Sequence, residues 1–386
     1  MQNLLSDRIN DVPRSFIREI LKVAVSEDVI SFAGGLPNRD LFPGAAIRAA
    51  TDAVLDEDAG SALQYGSSEG FGPLRQWIAR RYQRSGLDID PDHILITTGS
   101  QQGLDLLGKV FLNENDPVAI EEPGYLGAIQ AFAGYRSRFL GVPVNDEGAD
   151  PAALEAVLAR KPKLFYSVPN FQNPSGISYS ESNRRRVADL INAADTLLIE
   201  DDPYHELRFA GDVKTSFGVL APERCVMLGS FSKVVAPSFR VGWLVAPPAL
   251  MEKLLVAKQA TDLHTSEFVQ RIIHRYLMDN DLDAHIRTIS ERYGAQCNAM
   301  MQALKVQFPS ECRFTRPEGG MFLWLTLPGG LEAMDLFERA IANNVAFVPG
   351  DPFYPDGRRS RAMRLNFSCS NEAEIEEGIM RLARSL

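Results

Sequence analysis

Residues 225–246 read CVMLGSFSKVVAPSFRVGWLVA. Two apolar runs, CVML and VGWLVA, enclose a stretch with one lysine, Lys233, preceded by two serines, Ser230 and Ser232, and followed by one arginine, Arg240. Short apolar runs bounded by Gly, Ser and Pro read as buried strands. A solvated lysine needs no such framing, whereas a reactive one does.

Outward from this stretch the pattern repeats. HILITT (93–98), DPVAIEE (116–122), KLFYSV (163–168), TLLIED (196–201) and RCVMLGS (224–230) are further strand-like runs. Between them lie segments such as QQGLDLLGKVFL and SNRRRVADLINAA, with apolar residues at helical spacing. Strand–helix alternation predicts an α/β domain with a mainly parallel sheet covered by helices on both faces. We expect that large domain at 46–270. The C-terminal third changes character. A long helical stretch at about 266–306 leads into MFLWLTL, VAFVPG and MRLNFS, an α+β pattern. Residues 1–45 and 271–386 are expected to form a smaller second domain.

Composition narrows the function. The chain has 386 residues, a net charge of −10 and a pI near 5.2, which argues against a nucleic-acid surface. The run Arg184-Arg185-Arg186 reads as a solvated helix face. The four cysteines show no CxxC spacing, and no HExxH motif occurs, so no metal site is expected. The N-terminus MQNLLSDRINDVPRS lacks an apolar signal segment, and no run reaches membrane-spanning length. A cytoplasmic protein is expected. The nearest approach to GxGxxG, at Gly70 to Arg75, lacks the third glycine and follows no strand, which leaves the dinucleotide-binding reading weak.

In open α/β sheets, ligands bind outside the carboxyl ends of the strands. The first such end delivers Gly99-Ser100-Gln101-Gln102 into a helix, whose free N–H groups favour an anion such as phosphate. The next delivers Tyr125, then come the amides of PNFQNPSG, then Asp201-Asp202-Pro203-Tyr204, and last Lys233. An anion cradle, a flat ring, an amide, a carboxylate with a phenol, and a lysine suit a flat, phosphorylated, carbonyl-bearing cofactor. Pyridoxal phosphate fits each of these.

The chain resembles the class I/II pyridoxal-phosphate aminotransferases of fold type I, and among them the 2-aminoadipate and kynurenine aminotransferase group. The resemblance is carried in order by SFIREILK (15–22), SFAGGLP (31–37), QYGSSEGFGPLR (64–75), TTGSQQGLDL (97–106), EEPGY (121–125), PNFQNPSG (169–176), IEDDPYHEL (199–207), GSFSKVVAPSFRVGW (229–243), PEGGMFLWL (317–325) and MRLNFS (363–368). It implies these roles. Lys233 is matched to the Schiff-base lysine and proton carrier, with an amine made neutral by desolvation near Arg240. Asp201 is matched to the partner of the pyridine nitrogen, because the spacing to Tyr204 and strand alternation set it apart from Glu200 and Asp202. Tyr204 and Asn173 look like donors to the cofactor's 3′ oxygen, and Tyr125 like the ring stacked on the pyridine. Ser100, Gln101, Ser230, Ser232 and Arg240 look like the phosphate cradle, joined by Tyr65 from a partner subunit. A homodimer is thereby implied.

Arg364 is matched to the clamp on the substrate α-carboxylate, with the Gly35 backbone and Asn173 beside it. Arg358, Arg359 and Arg361 are taken as solvated. Arg18 is matched to the arginine that meets the distal carboxylate of acidic substrates. The implied activity is transamination between an L-amino acid (2-aminoadipate, aromatic or branched-chain) and 2-oxoglutarate, by a ping-pong mechanism. A β-elimination lyase on the same scaffold is the alternative. An aminotransferase-like transcriptional regulator is a lesser one, since SFIREILK begins at residue 15, too early to leave room for a DNA-binding head.

Overall fold

The computed structural model describes residues 4–10, 12 and 28–386. Its first strand is β1 (Ile30–Ser31). Eight strands of one sheet follow: β2 (Ile94–Thr97), β3 (Pro117–Glu122), β4 (Arg138–Asn145), β5 (Gly148–Ala149), β6 (Leu164–Ser167), β7 (Leu197–Asp201), β8 (Cys225–Ser230) and β9 (Gly242–Val245). The C-terminal part adds β10 (Arg313–Phe314), β11 (Phe322–Thr326), β12 (Val345–Ala346), β13 (Val348–Pro349) and β14 (Ala362–Asn366).

The large sheet has the order β2-β9-β8-β7-β6-β3-β4-β5. β8, β7, β6, β3 and β4 run parallel, while β9 runs antiparallel to both its neighbours. Every residue of β6 and β8 is buried. Burial on both faces explains why these strands read as continuous apolar runs rather than alternating ones.

The reversed direction of β9 is what the opening stretch contributes. Ser230 at the end of β8 pairs with Gly242 at the start of β9. The intervening residues leave the sheet and return at the same edge, with Phe231 N–H donating to Val241 O at 3.2 Å. Lys233 and Arg240 therefore both project from the edge where β2, β3, β6 and β7 also end.

A second sheet, β10-β11-β14-β13, is antiparallel throughout, and β1 pairs in parallel with β12. The N-terminal segment is thus tied to C-terminal structure. No helix among the described residues is long and apolar enough to cross a membrane.

Two expectations need correction. The stretch at 266–306 is two helices, Glu267–Asp279 and Leu282–Gln307. Between them Asn280 is extended, and its side chain donates to Tyr276 O at 2.9 Å. The Asp281 carboxylate then caps the second helix by accepting from Ala284 N at 3.0 Å. Asn and Asp compete for helix backbone groups in this way, which makes the pair a stop followed by a start.

The arginine run is the second. Successive helix residues are about 100° apart, so three in a row cannot share a face. Arg185 and Arg186 are exposed, but Arg184 is fully buried. It donates to Pro169 O at 2.8 Å, Asn170 Oδ1 at 2.7 Å, Thr215 O at 3.1 Å and Tyr179 O at 3.2 Å, and lies 3.8 Å from Glu200. It pins the loop after β6 on which Asn173 sits.

Candidate active site

At the shared strand edge lies a cavity of about 430 Å³. The edge of the large sheet supplies Ser100, Gln101, Tyr125, Asn173, Asp201, Tyr204, Ser230, Ser232, Lys233 and Arg240. The N-terminal segment supplies Gly35, and β14 supplies Arg364.

Of three consecutive carboxylates, only Asp201 lines this cavity. Alternation along β7 sends Glu200 to the other face, where it accepts from Ser216 Oγ at 2.5 Å and Gly218 N at 3.2 Å. Asp202 lies past the strand, 3.0 Å from His205 and from Asn170 Nδ2. Asp201 Oδ2 accepts from the Tyr166 hydroxyl at 2.6 Å, while Oδ1 is buried without a partner. Burial pushes the Asp201 carboxyl up to about 7, against the Tyr166 hydrogen bond, which pulls it down.

At one end of the cavity, the helix Ser100–Phe111 starts at Gly99 with no side-chain cap. Its first N–H groups are therefore left to an anion. Gly99 has φ +76°, and a Cβ there would stand 2.3 Å from Arg240 Nη2. A Cβ on Gly242 would stand 2.6 Å from Ser100 N. Bare backbone at both positions lets the guanidinium and the helix start come together. Ser230 and Ser232 join them, with hydroxyls 2.8 Å apart. Gln102, adjacent in sequence, serves structure instead. It accepts from Thr98 N at 2.8 Å and from the buried Lys258 at 2.9 Å.

At the other end, Arg364 is buried with its guanidinium over the rings of Phe322 and Phe353, at 4.4 and 5.5 Å. It donates through Nη2 to Ala33 O at 2.8 Å and through Nη1 to Asn173 Oδ1 at 3.0 Å. Burial lowers its pKa to about 10. Lys233 donates to Gly35 O at 2.9 Å. Burial lowers its ammonium to about 8, and Arg364 acts the same way, ahead of Arg240. The cation expected to depress this lysine was Arg240; Arg364 has the larger effect. Arg358 and Arg359 lie outside, in ion pairs with Glu122 and Asp335.

A family model for the class I and II aminotransferases matches residues 27–382. The chain belongs to that family. It is 43% identical to a 2-aminoadipate transaminase of Thermus thermophilus, over 97% of this chain and 94% of that one. It is 41% identical to aromatic-amino-acid aminotransferase 1 of Thermococcus litoralis, over 100% and 94%. The crystal structure of Pyrococcus horikoshii kynurenine aminotransferase, in complex with PMP, superposes with a TM-score of 0.95 at 41% identity, covering 100% of this chain and 97% of that one.

The aminotransferase has the type I fold, and its cofactor is pyridoxal 5′-phosphate. The cavity fits that group on its own evidence. Its volume suits a small-molecule site. The unpartnered Asp201 oxygen needs a donor, and a protonated pyridine nitrogen is one. The uncapped helix start beside Arg240 offers donors for a phosphate.

Not all expected residues meet in the aminotransferase cavity. Tyr65 is 79% exposed and outside it, edge-on to His264 at 5.7 Å. Arg18 lies outside the described residues. Conversely, Leu36, Tyr166, Val168, Pro203 and Pro237 line the cavity and were not expected there. Tyr166 had a signal in the sequence: a hydroxyl inside the apolar run KLFYSV needs a partner once buried.

Proposed function

We propose that the protein is a cytoplasmic, homodimeric aminotransferase that moves an amino group between an L-amino acid and 2-oxoglutarate by a ping-pong mechanism. The observation that carries this is the convergence of Lys233, Asp201, Arg240 and Arg364 on one cavity. 2-Aminoadipate and aromatic amino acids are the favoured donors, because relatives above 40% identity carry names for those substrates; branched-chain donors are a further class. All four cysteines are free, as a reducing compartment keeps them. We place the large domain at 46–270 and the small domain at 1–45 and 271–386.

When bound, the cofactor supplies an electron sink that stabilises negative charge at the substrate α-carbon. The chain's residues do the rest. Lys233 holds the cofactor covalently through its amine, and its lowered pKa makes a neutral amine accessible near neutral pH. As general base and acid, Lys233 would take the proton from the substrate α-carbon and return it at the cofactor's C4′ carbon. Asp201 keeps the pyridine nitrogen protonated. Arg364 fixes the Asn173 amide by taking its oxygen, which leaves the amide N–H groups to donate, with Tyr204, to the 3′ oxygen. Tyr125 stacks on the ring.

Ser100, Gln101, Ser230, Ser232 and Arg240 hold the phosphate, and Tyr65 reaches it in the partner's site. The planar fork of Arg364 clamps the α-carboxylate beside Gly35 and Asn173, which orients the α-proton toward Lys233. Arg18 is assigned to the distal carboxylate of acidic donors and of 2-oxoglutarate.

The test is to mix the holoprotein with a panel of amino acids and follow its visible absorbance. True donors shift the spectrum, and 2-oxoglutarate restores it. No shift with any amino acid contradicts transamination. Pyruvate and ammonia released without an oxo-acid acceptor indicate β-elimination instead. Sedimentation with and without Tyr65→Ala, together with mixed subunits of Tyr65→Ala and Lys233→Ala, tests the shared site. Hybrids regain cofactor affinity if Tyr65 serves the partner.

A further inference from the structure

Tyr166 is the one strongly polar contact of Asp201 in the described structure, and the function above gives it no part. The sheet register explains how the two meet. Tyr166 on β6 pairs with Ile199 on β7, so Asp201 is the diagonal neighbour two residues on, on the same face. The Tyr166 side chain is fully buried, packed edge-on to Phe132 at 6.3 Å and stacked with Tyr125 at 6.5 Å and 25°. A phenylalanine would fill that space equally well. The hydroxyl is therefore the informative atom, and it makes one hydrogen bond, to Asp201 Oδ2 at 2.6 Å.

We infer that Tyr166 is the positioning residue for Asp201, occupying Oδ2 so that Oδ1 is the oxygen presented to the cofactor's ring nitrogen. This rests on the proposed role of Asp201. The unpartnered state of Oδ1 is the independent observation. Tyr166 also offsets the local bias against an ionised Asp201. Burial is the largest contribution to that bias, and Asp202, just past the end of β7, and Glu121 on β3 add to it. Glu121 cannot relieve the strain by moving. Its oxygens are held by Ser167, Val168, Tyr179 and Gln172. The cations Lys233, Arg240 and Arg364 also line the cavity, but none hydrogen-bonds Asp201. Burial and the adjacent carboxylates keep the Tyr166 phenol well above its usual range, so it remains a donor at every working pH.

The test uses holoenzyme loaded with cofactor carrying nitrogen-15 in the ring. Tyr166→Phe is expected to lower the pH at which the ring nitrogen loses its proton, read from its nitrogen resonance. It should weaken cofactor binding about tenfold and lower kcat about tenfold or more, the scale of one hydrogen bond to a charged group. KM for the donor should stay nearly unchanged. In an Asp201→Asn background, the same substitution should add little, because Tyr166 acts through the carboxylate. A wild-type nitrogen resonance in Tyr166→Phe, or a full additive loss in the Asp201→Asn background, overturns the inference. Should Tyr166→Phe fail to fold, a ring-fluorinated tyrosine at 166 keeps the shape and strengthens the donor. The resonance should then move the opposite way, and no movement overturns the inference. If Asp201→Asn itself leaves the resonance at its wild-type position, the proposed role of Asp201 fails, and this inference with it.

Discussion

The Cβ that Gly99 lacks would stand 2.3 Å from Arg240 Nη2. Two segments far apart in the chain are fitted to each other there by the absence of one carbon. Gly99 also has φ +76° and ψ 162°, a region that side-chain-bearing residues avoid. Gly99→Ala should therefore destabilise the apoprotein by about 1–3 kcal/mol. It should also weaken cofactor binding by about tenfold or more as Arg240 is displaced. Chemical unfolding and fluorescence titration with pyridoxal phosphate check the two effects separately.

Asp201 gives the apoprotein a pH signature. Its folded pKa, near 7, lies above the ordinary 3.8, so the native state binds the extra proton between those values. The stability this confers is complete below about 3.8 and lost as pH rises through about 7. Asp201→Asn removes the loss. The variant apoprotein should be more stable than wild type at pH 8, and the gap should close as pH falls toward 4. Denaturation midpoints across that range measure it. The same variant should be nearly inactive as holoenzyme.

Arg364→Lys keeps the charge and loses the fork. The two parallel bonds proposed to the substrate carboxylate would become one, and the Asn173 amide would lose its orienting donor. We expect kcat/KM for the donor to fall about 100-fold, the cost of misplacing a reacting centre. Steady-state kinetics would show this, with cofactor affinity much less affected.

Arg184→Ala strands Glu200, whose carboxyl burial already pushes up to about 7. Removing one member of a buried ion pair costs about 3–5 kcal/mol. The unfolding midpoint should fall accordingly, whereas Arg185→Ala should change it little because that side chain is solvated.

Much of this was legible in the sequence because a buried parallel sheet writes itself as apolar runs. The polar residues at the ends of those runs then read as one edge. Lys233, Asp201 and Tyr125 were accessible in that way. The residues that escaped are those whose role depends on register or rotation. The Tyr166–Asp201 bond needs the pairing of Tyr166 with Ile199. The burial of Arg184 needs the phase of its helix. The antiparallel return of β9, which brings Arg240 back beside Gly99, needs the sheet order. The influence of Arg364 on Lys233 spans over a hundred residues of chain and follows only from folding.

The proposed attachment of the cofactor to Lys233 is open to chemical proof by reduction. Borohydride treatment of the yellow holoenzyme, followed by proteolysis and mass spectrometry, locates the lysine bearing a phosphopyridoxyl group. That label is expected on Lys233, in the peptide containing GSFSKVVAPSFR, and nowhere in Lys233→Ala. Label on another lysine, or cofactor released unattached from wild type, would contradict it.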